Sequence, residues 1–187
     1  TFDFDLGIHD QSLWLLAHGK WFNTVCGLHV FGHHAMFMYY FLVPFVWLGA
    51  GPHTWNVLQV VALGLSSIPI FLIARNRLAN ASVANVFGFI WLLLPSTTYL
   101  AFETFHPETM AIPFLLMAYH YCTDRSVSSN FQFDRHNIVA ILWLIAAMLW
   151  KEDVALATMG IGVLMLCSRK RVFGLIIFSF SGSMSYD

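Results

Sequence analysis

The chain has 187 residues, of which 58% are hydrophobic and 10% charged, with a formal net charge of −1 and a mean hydropathy of +0.68. Soluble domains run nearer half apolar and a quarter charged, so the composition excludes an ordinary soluble domain and reads as an integral membrane protein. No basic block with interleaved aromatics stands outside the loops, which excludes nucleic acid as a partner, and Cys26, Cys122 and Cys167 are widely spaced, isolated thiols.

Thr1 opens inside a polar motif with no initiator Met and no leader, and the apolar run from Val172 to Phe180 stops short of a crossing. Both ends are therefore expected to be cuts through a longer protein. In Phe2-Asp3-Phe4-Asp5-Leu6-Gly7 acids and apolars alternate. In extended chain this turns Asp3 and Asp5 one way and Phe2, Phe4 and Leu6 the other. The motif is either a solvated loop or a rigid mount for a functional Asp5. Asp10 to His18 reads as a short amphipathic helix with Asp10 as N-cap and Gly19 just past its end. Ala35 to Leu48 is only about 14 residues, roughly 21 Å as a helix, and carries Pro44. With Tyr39, Tyr40 and Trp47 it is predicted to lie along the outer interface or re-enter from it.

Trp55 to Ala74 has about the 20 apolar residues a spanning helix needs and is closed by Arg75 and Arg77. A second span is predicted from Val83 to Ala101, with Pro95 inside it. Shorter apolar segments follow at 109–122, 138–150 and 154–168, with the start of another at 172. Short cytoplasmic loops are enriched in Lys and Arg, and three loops qualify: Arg75 with Arg77, Arg125 with Arg135, and Arg169-Lys170-Arg171. If all three face the cytoplasm, each interval between them is a helical hairpin. One hairpin turns at Phe102 to Glu108 and the next at Lys151-Glu152-Asp153. One long helix through 138–167 is the alternative, at a cost of several kcal/mol for charges near the bilayer centre. The expected fold is all-α: a polytopic transmembrane helical bundle at 54–187, preceded by an external region at 1–53 with short interfacial helices.

That topology gathers seven of the ten carboxylates on the outer side, in four short clusters: Asp3 with Asp5, Asp10, Glu103 with Glu108, and Glu152 with Asp153. It also places His9, His18, His29, His33, His34, His53 and His106 outside. Asp10 fits a helix cap, and Glu108 after Pro107 fits a helix start. His106 beside two carboxylates suits an acid, a base or a phosphate donor. Lys151-Glu152-Asp153 is either a self-neutralising turn or a Lys that grips phosphate while an acid orients it. Asp5, His106 and Glu108 also make a candidate set for Mg or Mn, and one of His33 and His34 can face the same site.

Phe4-Asp5-Leu6-Gly7-Ile8-His9-Asp10-Gln11-Ser12-Leu13-Trp14, Leu16-Ala17-His18-Gly19, Phe105-His106-Pro107-Glu108 and Lys151-Glu152-Asp153 together resemble the domain of unknown function 2079, a family of predicted prokaryotic membrane proteins. The resemblance spans essentially the whole chain. It departs at His9, where the family usually has an aromatic, and at Gly32-His33-His34, where the family tends to Gly-Asp-His. The family in turn looks like a branch of the glycosyltransferase C superfamily, whose members take sugars from polyprenyl-phosphate carriers at the outer membrane face. That resemblance implies a catalytic role for Asp5, as general base or metal ligand. It implies binding of the carrier phosphate by His106 and Lys151, with Glu108, Glu152, Asp153 and His34 completing the site. A transporter and a non-catalytic membrane scaffold are the alternatives.

Overall fold

In a computed structural model, the structure describes residues 3–32, 34–123, 135–167 and 171–184. The fold is all-α, apart from one two-residue antiparallel pairing of β1 (Phe22–Asn23) with β2 (Leu28–His29). Arg125, Arg169 and Lys170 of the basic loops, together with Phe2 and His33, lie outside the described residues.

α1 (Asp3–Ala17) is longer than predicted and absorbs the alternating N-terminal motif. Helical residues advance about 100° each, so positions 3 and 5 are separated by about 200° around the axis and do not share a face. The extended reading of that motif is thus corrected. Asp10 is not an N-cap: it sits inside α1, where its carboxylate accepts a 2.7 Å bond from the Trp55 indole. The predicted helix end holds, with Gly19 at φ +67° just past it. The β1–β2 hairpin is stitched back onto α1 by Asn23, which donates to Ile8 O and Ser12 Oγ at 3.1 and 2.8 Å.

α2 (Tyr39–Trp47) carries Pro44 and is only 9 residues long. It is followed by α3 (Pro52–Leu65) and α4 (Ser67–Leu78), which together make a 27-residue apolar helix. At about 1.5 Å per residue this reaches roughly 40 Å, more than a hydrocarbon core. Among the described residues it is the one helix long and apolar enough to cross a membrane unaided. The second predicted span is divided into α5 (Ala81–Leu93) and α6 (Pro95–Phe102), bent by 46°. Pro95 forces Leu94 into the extended region at ψ 133°, which breaks the ladder there. Asn80 caps α5, its side-chain oxygen accepting from the N–H groups of Ser82 and Val83.

α7 (Pro107–Met110) and α8 (Ile112–Thr123) precede α9 (Arg135–Met148), α10 (Val154–Leu166) and α11 (Arg171–Met184). Phe114 packs near Trp143 and Tyr121 near His136, so α8 and α9 run antiparallel. Met165 at the end of α10 shares a core with Ala140 at the start of α9, so α10 returns alongside it. The chain therefore turns at Lys151–Asp153, and the single long helix through 138–167 is overturned. α10 and α11 pack most closely of all. A Cβ on Gly174 would sit 2.5 Å from Leu166 N, and one on Gly162 would sit 2.9 Å from Phe178 N. This antiparallel order separates two cores. One gathers Phe105, Met110, Ala147, Trp150 and Val154 with Leu13, Tyr39 and Trp55; the other gathers Ala118, Cys122, Ala140 and Met165. The first underlies the acidic motifs, and the second lies toward the basic ends.

Candidate functional site

Three stretches far apart in sequence meet above the first core. The 34–38 segment docks on the α9–α10 turn through Met38 N–H to Leu149 O at 2.9 Å and Ala35 N–H to Glu152 Oε2 at 2.9 Å. His34 Nδ1 bonds the other oxygen of Glu152. Burial raises the Glu152 carboxyl, but the bonds from His34 and from the backbone N–H groups outweigh it and leave it below its ordinary value.

Beside this pair, Lys151 Nζ lies 3.5 Å from Glu108 Oε1 and 3.3 Å from Asp153 Oδ2. Its side chain is only 14% exposed, whereas those of Glu108 and Asp153 are 41% and 63% exposed. The ammonium is thus sunk beneath two carboxylates that face outward. Burial pulls Lys151 down, yet Glu108 and Asp153 overcome it and hold the lysine above its usual pKa. His106 Nδ1 completes the cluster 3.9 Å from Glu108 Oε1.

The Phe102–Glu108 motif is shaped by alternate burial. Phe105 is fully buried and Pro107 nearly so, which turns His106 and Glu108 toward the cluster. The loop is fastened from α3 by Gln59, itself fully buried. Its amide nitrogen donates to Leu100 O at 2.7 Å, Thr104 O at 3.3 Å and Glu103 O at 3.4 Å. Its oxygen accepts from His106 N at 2.6 Å and Thr109 Oγ1 at 3.0 Å. A second support comes from α1, where His9 packs edge-on against Phe105 and bonds the hydroxyl of the buried Tyr39. Burial, reinforced by the negative charge of Glu108, pushes the Tyr39 phenol well above its ordinary value.

Of the predicted site residues, His34, His106, Glu108, Lys151, Glu152 and Asp153 are brought together. Asp5 joins none of these ion pairs; it is exposed in the first turn of α1, one turn before His9 on the same face. The candidate metal set of Asp5, His106 and Glu108 is corrected. Among the described residues no group of three His, Cys, Asp or Glu is placed to hold a metal ion, and the Lys151 ammonium already supplies the cation between Glu108 and Asp153. Two other histidines stay exposed on aromatic neighbours: His18 stacks on Trp14 and His29 on Trp21.

The family model described as "Predicted membrane protein (DUF2079)" matches residues 1–186. The chain belongs to that family. No curated protein and no solved structure matches it. Membership carries membrane residence with it, and the family description assigns no reaction. Gln59 and Tyr39 are the site residues that sequence reasoning missed. A signal for the first was present, since an amide inside a spanning run is costly unless its polar atoms find partners.

Proposed function

We propose that this family member is a polytopic glycosyltransferase-like enzyme that moves a sugar from a polyprenyl-phosphate donor at the outer face of the cell membrane of a prokaryote. The reading is carried by one observation: the α9–α10 turn carries two adjacent ionic groups, His34 with Glu152 and Lys151 with Glu108, Asp153 and His106, at the end of the bundle opposite Arg75, Arg77 and Arg135. Short basic loops favour the cytoplasm, so the cluster faces outward. A lipid phosphate arriving at the membrane boundary meets His106 and Lys151. It gains the lysine by displacing Asp153, the more exposed of its two partners, while Glu108 keeps the ammonium aimed. Glu152 and His34 hold the turn that carries Lys151. Asp5, exposed on α1, takes the proton of the acceptor hydroxyl as general base.

The test is transfer from a labelled polyprenyl-phosphate sugar in proteoliposomes containing the full-length protein. Asp5→Asn is expected to abolish transfer with insertion and helix content unchanged. A fully active variant removes Asp5 from the mechanism, and a wild-type protein inert toward every lipid-linked sugar tried defeats the reading. A transporter is the second reading, favoured by Asn56 Oδ1 and Thr97 Oγ1, which are buried among the helices without hydrogen-bond partners. It predicts counterflow of substrate with no product formed.

A further inference from the structure

Gln59 joins two helix ends at once. The last carbonyls of α6 and the first N–H groups of α7 lack partners within their own helices. The Gln59 amide serves both: Leu100 O, Glu103 O and Thr104 O on one side, His106 N–H on the other. Its orientation follows from chemistry, because carbonyl oxygens only accept and a backbone N–H only donates. The Thr109 hydroxyl reinforces the oxygen side, its single proton shared between Gln59 Oε1 at 3.0 Å and His106 O at 2.6 Å. No smaller or differently charged side chain reproduces this. Asn is a methylene short, Glu presents an acceptor to three carbonyls, and Met makes no hydrogen bond of comparable strength.

We infer that Gln59 is the positioning residue for His106, setting the direction of its backbone and so the approach of its imidazole to Glu108. The inference rests on the proposed site only for its biological use; the geometry stands without any transfer reaction. It extends to Thr109, whose hydroxyl is, among the described residues, the one side-chain group other than Gln59 in the same network.

The experiment measures diethylpyrocarbonate modification of His106 in the intact detergent-solubilised protein, by peptide mass spectrometry, with the exposed His18 as internal reference. Gln59→Met and Gln59→Glu are expected to raise the His106/His18 rate ratio by about fivefold, the factor equivalent to one ordinary hydrogen bond. Thr109→Val is expected to raise it less, and Thr109→Ser to restore the wild-type ratio. Folding is checked by circular dichroism and size exclusion, and if the Gln59 variants fail to fold the Thr109 pair decides. Unchanged ratios in folded Gln59→Met, or equal shifts for Thr109→Val and Thr109→Ser, overturn the assignment. Because no sugar transfer is measured, failure here is distinct from failure of the proposed enzyme.

Discussion

Replacing Lys151 with Met probes the electrostatic balance of the cluster most directly. The ammonium lies 3.5 Å from Glu108 and 3.3 Å from Asp153. At an effective dielectric of about 20 each contact is worth roughly 4–5 kcal/mol before desolvation is charged against it. Both carboxylates are well exposed, so water screening brings each net contribution to about 1 kcal/mol, as measured for accessible pairs. Met conserves the apolar stem of the lysine, which leaves loss of charge as the main effect. Lys151→Met is therefore expected to cost about 2 kcal/mol, lowering the thermal midpoint by roughly 4–8 °C for a chain of this size. The assay is tryptophan-monitored unfolding in detergent, run as a double-mutant cycle with Glu108→Gln, which is expected to give a coupling of about 1 kcal/mol. A Lys151→Met protein as stable as wild type, or a coupling within about 0.3 kcal/mol of zero, refutes the reasoning.

Three further outcomes follow from the geometry. Glu152 has a folded pKa below its unfolded value, so its contribution is complete above about pH 4.5 and fades as pH falls through the folded pKa. Thermal midpoints taken from about pH 6 down to pH 3 should drop more steeply for wild type than for Glu152→Gln, and parallel curves would contradict this. Gly174→Ala puts a methyl 2.5 Å from the Leu166 backbone nitrogen, which cannot yield, so a loss of about 3 kcal/mol or more is expected from the thermal midpoint. An unchanged midpoint would show that α11 shifts freely. An impermeant maleimide applied to sealed, right-side-out vesicles should label Cys26 alone. Detergent should then admit label to the exposed Cys167 but not to the buried Cys122, and Cys167 labelling before detergent would reverse the topology.

Element type was legible wherever apolar runs met breakers. Trp55 to Ala74 lies within the long helix, Pro95 marks the bend of the next, and the 9-residue α2 is as short as its proline and length required. The meeting of the His106, Glu108 and Lys151 motifs was legible too, because hairpin turns place their polar residues at a common end. The N-terminal motif was misread for a physical reason. Alternation of period two is a strand pattern only where one face is buried, and here the packing of His9 against Phe105 and of Asp10 against Trp55 rewards a helix instead. Gln59 escaped notice since its partners are backbone groups more than forty residues away, which leave no trace in side-chain pattern. The basic loops at Arg125 and Arg169–Lys170 fall outside the described residues, so the sorting of charge stands on Arg75, Arg77 and Arg135.

The bond between His34 and Glu152 closes a loop of 118 residues. A ribosome releases residue 34 long before residue 152, so the Ala35 amide and its imidazole neighbour wait through the synthesis of α2 to α9 for the carboxylate that will receive them. The cluster thus matures only after the α9–α10 turn has been made. Nascent chains halted before the α9–α10 turn carry every helix of the first hairpin and still lack a finished site, which ties the timing of competence to the emergence of that turn.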